Sequence, residues 1–359
     1  MYTPVLEINL NALRHNLARV REFAPDTHVM AMIKANAYGH GAALCAHALG
    51  GADAFGAARL DEALLLREGG VTKPILVMCG VMDPAELPVY QEHHIDILVH
   101  HPDHIAMLEA FEGTDVFNVW FKIDTGLNRL GFSVDDAPAA HARLSACPSV
   151  KKPFRIMSHC VVPERMDKTF TQEQIDAFLS VADNLPGEKS FAKSAAIMAW
   201  PQTHFDWVRP GIMLYGISPF PDKTATHLDL KPVMSLRSTL VRVDQRRKGD
   251  NLGYGGEIRC PEDTLIGIVA LGYADGYPRH LVSPAPVLVN GKRCQTIARI
   301  AMDLMMIDLS GAPESQKGDE VLMWGEGLPI EEVAKAANTI PYTLTTAMTA
   351  RVRRVIVDS

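Results

Sequence analysis

The chain is predicted to have an α/β fold, a (β/α)8 TIM-type barrel followed by a mostly antiparallel β domain, and three features of the sequence carry that expectation. Eight apolar runs alternate with helix-patterned segments between residues 29 and 216. Each run is apolar nearly throughout, as strands must be when layered side chains cover them inside a barrel and helices cover them outside. From about residue 231 the helical pattern gives way to short strand-like runs. An open doubly wound sheet would satisfy the same alternation, and length weighs for the barrel: 359 residues exceed the roughly 100–200 of an ordinary domain.

In chain order the runs are 28–34, 53–58, 74–80, 95–101, 118–124, 154–160, 189–196 and 207–216, spaced 18 to 36 residues apart. Between them, 58–70, 83–94, 134–147 and 170–187 place apolar residues three and four apart, the helical period. Several of these segments start at Asp or Thr and stop near Gly, the usual end signals. Residues 1–230 are therefore assigned to the barrel and 231–359 to the second domain. In that second part, 236–244, 264–272, 285–291, 293–299, 304–309 and 320–326 read as strands, Asn290-Gly291 as a tight hairpin turn, and 330–337 as a final helix. No low-complexity linker separates the two parts, so they are expected to pack closely.

Composition excludes several classes. Hydrophobic residues make up 47% and charged residues 21%, which rules out a disordered chain or a coiled coil. Formal charge is −7, from 35 basic and 42 acidic side chains, and the only basic clusters are 246–248 and 351–354, so no nucleic acid partner is expected. No run of 18 apolar residues exists to span a bilayer, and the first residues lack the build of a signal peptide; the cytoplasm is the expected location and no membrane partner is expected. Six cysteines without CxxC spacing are expected to be reduced core residues.

In a parallel barrel the chemistry gathers where strands end. Lys34 closes the first run, Lys122, Asp124 and Arg129 follow the fifth, His159 closes the sixth, Ser194 falls at the seventh, and Arg209 with Gly211-Ile212 sits at the eighth. One such residue alone is ordinarily a solvated or capped group; five positions on one rim describe a site. Lys34 lies among apolar and small residues, where desolvation disfavours its charge, and a neutral amine attacks carbonyls. The loops after strands seven and eight are the barrel's usual phosphate seat, and here they offer Ser194 and the Gly211-Ile212 backbone, with Tyr38 able to add a hydroxyl. A lysine beside a phosphate seat points to pyridoxal phosphate, and equally to a class I aldolase acting on a sugar phosphate.

Six ordered blocks narrow the choice. They are Lys34-Ala-Asn-Ala-Tyr38-Gly-His-Gly, Lys122-Ile-Asp-Thr-Gly-Leu-Asn-Arg129-Leu-Gly, His204-Phe-Asp-Trp-Val-Arg209-Pro-Gly-Ile, Gly253-Tyr254-Gly-Gly, Gly272-Tyr273-Ala-Asp-Gly-Tyr and Arg299-Ile-Ala-Met302-Asp303. Over essentially the whole chain they resemble the bacterial alanine racemases. The resemblance implies pyridoxal 5'-phosphate as cofactor, alanine as substrate and no metal, with Lys34 holding the cofactor and serving as base for the D-enantiomer. It implies Tyr254, supplied by the partner subunit of a homodimer, as base for the L-enantiomer. Tyr38, Ser194, Gly211 and Ile212 then bind the phosphate, and Arg209 faces the pyridine nitrogen with His159 beside it. Arg129 and the backbone of Met302 hold the substrate carboxylate, and Lys122, Tyr273 and Asp303 support the site; Lys122 matches a lysine often carbamylated in relatives. Racemisation needs proton removal on one face and delivery on the other, so two bases suit it. Both reference pKa values lie near about 10, so burial or cationic neighbours such as Arg129, Arg209 and His159 must lower them. An arginine at the pyridine nitrogen makes a weaker electron sink than a carboxylate partner would, which disfavours transamination.

The chain departs from the family pattern at His159-Cys160-Val161 and in the 163–166 segment that follows, at Lys193, which puts an extra positive charge near the phosphate, and at Ala350, where some members carry a tyrosine. Tyr342 is left unassigned. Three other readings are weighed: racemisation of serine, lysine or another amino acid; a pyridoxal phosphate carrier, which has no use for Tyr254 or a β domain; and a metal-dependent hydrolase using His100, His101, His104 and His159.

Overall fold

The structure, a computed structural model, describes residues 3–113, 116–165, 167–256 and 258–358. It begins with a strand that the barrel does not contain. Strand β1 (Val5–Asn9) buries Leu6 and Ile8 and leaves the residues between them partly exposed, the alternation of a strand covered on one face. Eight parallel strands then close on themselves: β2 (His28–Met32), β3 (Ala54–Ala57), β4 (Ile75–Val77), β5 (Ile95–Val99), β6 (Val119–Lys122), β7 (Arg155–Met157), β8 (Lys189–Lys193) and β9 (Trp207–Arg209). Closure is direct, with His28 opposite Trp207 and Val29 opposite Val208. Every residue of β3, β5 and β6 is buried. The continuous apolar runs and the ring have the same cause.

Helices cover the outside. The one at Leu10–Phe23 is capped by Asn9, whose side chain accepts from the Ala12 amide at 2.9 Å, and it buries Leu10, Leu13, Leu17 and Val20. The one at Pro102–Glu109 starts with Pro102 in its first turn, where no amide partner is lost. A polar plug fills the amino-terminal end of the barrel: Arg155 lies between Trp120 and Trp207, 5.1 and 5.0 Å from the ring centres, and bonds Glu188 at 2.8 Å. Buried Asp96 accepts from Trp120 Nε1 at 3.1 Å. The carboxyl end is left for chemistry.

The second part is one sheet of eight strands, ordered β13-β16-β15-β14-β17-β10-β1-β18. Its members are β10 (Met234–Arg246), β13 (Thr264–Val269), β14 (Pro286–Val289), β15 (Lys292–Ile297), β16 (Met305–Asp308), β17 (Glu320–Trp324) and β18 (Arg353–Val357), besides β1. A small hairpin, β11 (Asn251–Leu252) with β12 (Ile258–Arg259), stands apart from it. All pairings in the sheet are antiparallel except β1 with β18. Long β10 pairs with β17 through its first half and β13 through its second, and register shifts at Leu236/Arg237 and Leu240/Arg242 bend it between them. Asn290 and Gly291 take φ of 47° and 78°, as the tight turn from β14 to β15 requires.

The sequence division at residue 230 needs one correction: residues 5–9, counted with the barrel, lie in the sheet between β10 and β18. The chain starts in the sheet, runs through the barrel and returns, and one apolar core runs through both parts. Among the described residues no helix is long and apolar enough to cross a membrane. All six cysteines are free, and only Cys79 is not fully buried.

Burial holds His104 neutral, with its pKa pushed down to about 4. Unfolded histidine titrates near about 6.5, so between that pH and 4 the unfolded chain binds more protons than the folded one, and stability falls as pH falls. The slope reaches about 1.4 kcal/mol per pH unit for one histidine. Denaturant melts at stepped pH are expected to show a shallower slope for His104→Asn than for the parent protein; identical slopes contradict this assignment.

Candidate active site

The segment after β2 sets the site. Ala35, Asn36, Ala37 and Tyr38 take φ of 51°, 54°, 53° and 54°, one short left-handed turn where side chains ordinarily prohibit it. The conformation costs roughly 1–2 kcal/mol per residue, so neighbours must hold it. The Ala35 amide donates to Glu62 Oε1 at 2.7 Å, and the Ala42 amide to Asn36 Oδ1 at 2.8 Å. Gly39 continues the turn at φ 87°, and a Cβ there would stand 2.0 Å from the Thr345 carbonyl oxygen, so only glycine lets the C-terminal part pack on this loop. Lys34 and Tyr38 are thereby fixed at opposite ends of one strained turn.

Both line a cavity of 1010 Å³ at the carboxyl end of the barrel, together with Lys122, Arg129, His159, Ser194, Arg209, Gly211 and Ile212. Ser194 Oγ accepts from the Gly211 amide at 2.9 Å and the Met213 amide at 3.4 Å. At Gly211 a Cβ would lie 2.5 Å from the Tyr38 hydroxyl, so the cradle has no room for a side chain. Arg209 is buried and donates to Ser190 Oγ and the Ser158 carbonyl, both at 2.5 Å, and to the Phe191 carbonyl at 3.3 Å. The loop bearing Arg129 is folded around Asp124, which accepts from the amides of Gly126 (2.9 Å), Asn128 (3.1 Å) and Arg129 (3.0 Å). Against the cost of burial, those three bonds keep the Asp124 carboxyl below the usual range.

The cations share one field. Burial, then the charge of Arg129, lowers the pKa of Lys34. Burial, then Arg209, brings Lys122 down to about 7, so near neutrality a large part of it is an uncharged amine. His159 is driven well below its ordinary value by burial and then by Arg209, which leaves it neutral. Arg209 itself is lowered by burial only to about 10 and stays protonated. The arrangement can keep amines nucleophilic while holding two fixed positive charges against an anionic ligand.

Tyr254, Tyr273, Met302 and Asp303 do not line this cavity. They sit in the C-terminal part. Tyr254 follows β11, in a turn where Gly253 and Gly255 take φ of 69° and 77°, and it is 61% exposed. It borders a second groove of 540 Å³ with Arg279 and Arg299. Tyr273 packs its ring against Arg279 at 4.9 Å, its amide donates to the Ala301 carbonyl at 3.0 Å, and the next amide donates to the Met302 carbonyl at 3.0 Å. Asp303 accepts from Arg351 at 2.7 Å. Within one chain the sequence-derived residues therefore fall into two separate groups, nine at the barrel mouth and four on the sheet.

Two residues that shape the site carry no role in the sequence reading: Tyr342, left unassigned there, and Glu62, which does not line the cavity but holds the Ala35 amide. Tyr342 reaches the cavity from the helix Pro341–Thr346, its ring 5.7 Å from that of Tyr38; a polar aromatic one residue after a helix-starting proline was the available signal. Glu62 left no signal, since an acidic residue in a helix's first turn is commonplace. The extra charge expected at Lys193 is answered locally: Nζ donates to the Val161 carbonyl at 2.9 Å and lies 3.4 Å from Glu164. Met166, the last of the departing segment, lies outside the described residues. His100 and His104 pack edge to face at 4.3 Å, and among the described residues no three groups are placed to hold a metal ion.

Residues 8–219 match the family described as alanine racemase, N-terminal domain, and residues 233–356 the one described as alanine racemase, C-terminal domain. The chain is 45% identical over 356 residues to alanine racemase of Coxiella burnetii, covering 98% of each, and 44% identical over 359 residues to the biosynthetic alanine racemase of Escherichia coli, covering 100% of each. The crystal structure of biosynthetic alanine racemase from Pseudomonas aeruginosa superposes with a TM-score of 0.96 at 38% identity, over 99% of this chain and 100% of that one.

Proposed function

The chain belongs to the alanine racemase family and interconverts L- and D-alanine, and on that premise we propose that it does so with pyridoxal 5'-phosphate and two bases, Lys34 and Tyr254, contributed by different subunits of a homodimer. The observation that carries the proposal is the pairing of a desolvated Lys34 with a cradle of Tyr38, Ser194 and a side-chain-free Gly211 in one cavity. The donor set fits the cofactor: hydroxyls and backbone at one end for a phosphate, a buried arginine and a neutral histidine at the other for a ring nitrogen.

Pyridoxal 5'-phosphate, when bound, supplies the electron withdrawal that lets an amino acid's α-hydrogen leave as a proton. The protein's own groups do the rest. Lys34, its charge disfavoured by burial and Arg129, holds the cofactor and moves a proton at Nζ on one face. Arg129 binds the substrate carboxylate, in a loop held by three bonds to Asp124. Arg209, which keeps its proton, would hold the ring nitrogen as a donor, and a nitrogen so held would stay unprotonated, which would disfavour side reactions needing a deeper electron sink. The same chain's Tyr254 does not line this cavity; it stands exposed on the C-terminal part, free to enter a second copy's barrel mouth and serve the opposite face. The Met302 backbone joins Arg129 at the carboxylate, with Tyr273 and Asp303 shaping that contact.

Alanine presented in deuterium oxide is expected to lose optical purity from either enantiomer and to gain deuterium at Cα in step. Retention of both the hydrogen and the handedness would overturn the proposal. The biosynthetic description of the Escherichia coli relative supports a supply role, and the proposal extends to D-alanine made in the cytoplasm for peptidoglycan.

Lys122 has a further part in this reading. With a pKa near 7 its amine can attack carbon dioxide, forming a carbamate and releasing a proton, and the resulting anion orients Arg129. The 13C spectrum of protein equilibrated with labelled bicarbonate is expected to carry a carbamate signal that vanishes in Lys122→Met; persistence of that signal contradicts the assignment.

A further inference from the structure

His40 belongs to the same motif as Lys34 and Tyr38, yet nothing in the reaction uses it. It is fully buried, and its Nδ1 stands 2.9 Å from the Ala37 carbonyl and 3.0 Å from the Tyr38 carbonyl. Both partners can only accept, so Nδ1 carries the hydrogen. Burial pushes its pKa down to about 4, and the ring is neutral with Nε2 unpartnered among the described atoms. That hydrogen closes the left-handed turn at its strained end. The ring stacks on Tyr215 at 4.5 Å, Tyr215 stacks on Tyr38 at 4.8 Å, and the Tyr215 hydroxyl donates to the Met32 carbonyl at 2.8 Å, two residues before Lys34.

We infer that His40 is a positioning residue for the cofactor seat: its Nδ1 hydrogen locks the left-handed turn, and its ring, through Tyr215, fixes Tyr38 against Gly211 and Ser194. The inference rests on the proposed cofactor site. Its chemistry is specific to one nitrogen. Asparagine places an amide N–H where Nδ1 stands, glutamine places one nearer Nε2, and leucine places none. An unclamped turn relaxes toward right-handed geometry and carries both the Tyr38 hydroxyl and Lys34 away from the phosphate end.

The test follows loss of pyridoxal 5'-phosphate from the holoenzyme into a trap, read from the visible band of the lysine-bound cofactor, with melting temperature recorded alongside. His40→Asn is expected to release cofactor within about threefold of the parent rate, and His40→Gln and His40→Leu at least about tenfold faster, the size of one net hydrogen bond. At saturating cofactor the KM for alanine is expected to be unchanged in all three, because Arg129 is untouched. If His40→Leu does not fold, the Asn and Gln variants still decide. Equal release from those two, or parental release from Gln and Leu, overturns the inference. A parent protein whose visible band is absent, or survives Lys34→Ala, overturns the cofactor reading instead.

Discussion

Lys34→Ala is expected to keep its fold, lose the visible band of lysine-bound cofactor, and racemise alanine at least about a thousandfold more slowly, as the loss of a group that is both attachment point and base implies. Its fold survives because the side chain points into a cavity and its charge is already disfavoured there. Deleting it removes a desolvated group rather than a core contact. The phosphate cradle of Tyr38, Ser194 and Gly211 remains, so the variant still takes up free pyridoxal 5'-phosphate more weakly, with the spectrum of the unattached aldehyde. Borohydride treatment followed by peptide mapping separates the cases: the parent carries the reduced cofactor at residue 34, and the variant carries none. Covalent cofactor at any other lysine in the variant would contradict the assignment.

Tyr254→Phe is expected to behave in the opposite way. The ring is 61% exposed and lies outside the barrel cavity, so cofactor content is unchanged and stability moves by no more than about 0.5 kcal/mol. Racemisation falls at least about a hundredfold, the usual contribution of one positioned acid or base. The loss is one-sided. In deuterium oxide, exchange at Cα is expected to persist from D-alanine, whose proton Lys34 takes, and to vanish from L-alanine. Full exchange from L-alanine in this variant would remove Tyr254 from the reaction.

Much of this architecture is legible in the sequence. The eight barrel strands announced themselves because burial on both faces forces unbroken apolar runs, and every run predicted between residues 28 and 216 contains one strand of the ring. Strand β1 carries only two buried residues in alternation, and its partners lie more than two hundred residues away, so no local pattern could place it in the sheet. Strand β18 was invisible because Arg353 and Arg354 at its start are exposed and nothing in it is buried. The barrel-mouth residues were legible for a geometric reason: a strand's polar terminus faces the one rim where chemistry gathers. The left-handed turn was not. Ala35 and Ala37 have no intrinsic preference for it and Asn36 alone tolerates it well; it is held by Glu62 and the C-terminal helix around Thr345, which reach it from elsewhere in the chain, and by His40 just after it. For Tyr254 and Met302, residue spacing is silent on what they face, and only family resemblance joined them to Lys34.

The composite site is therefore the central claim, and subunit mixing tests it most directly. Lys34→Ala and Tyr254→Phe homodimers are each inactive, but after joint unfolding and refolding the mixed dimers have one site with both defects and one with neither. Random pairing makes half of the dimers mixed, so activity is expected to return to about a quarter of the parent value. A mixture that contains mixed dimers by mass and remains inactive would contradict the claim that Lys34 and Tyr254 act on one substrate from opposite subunits.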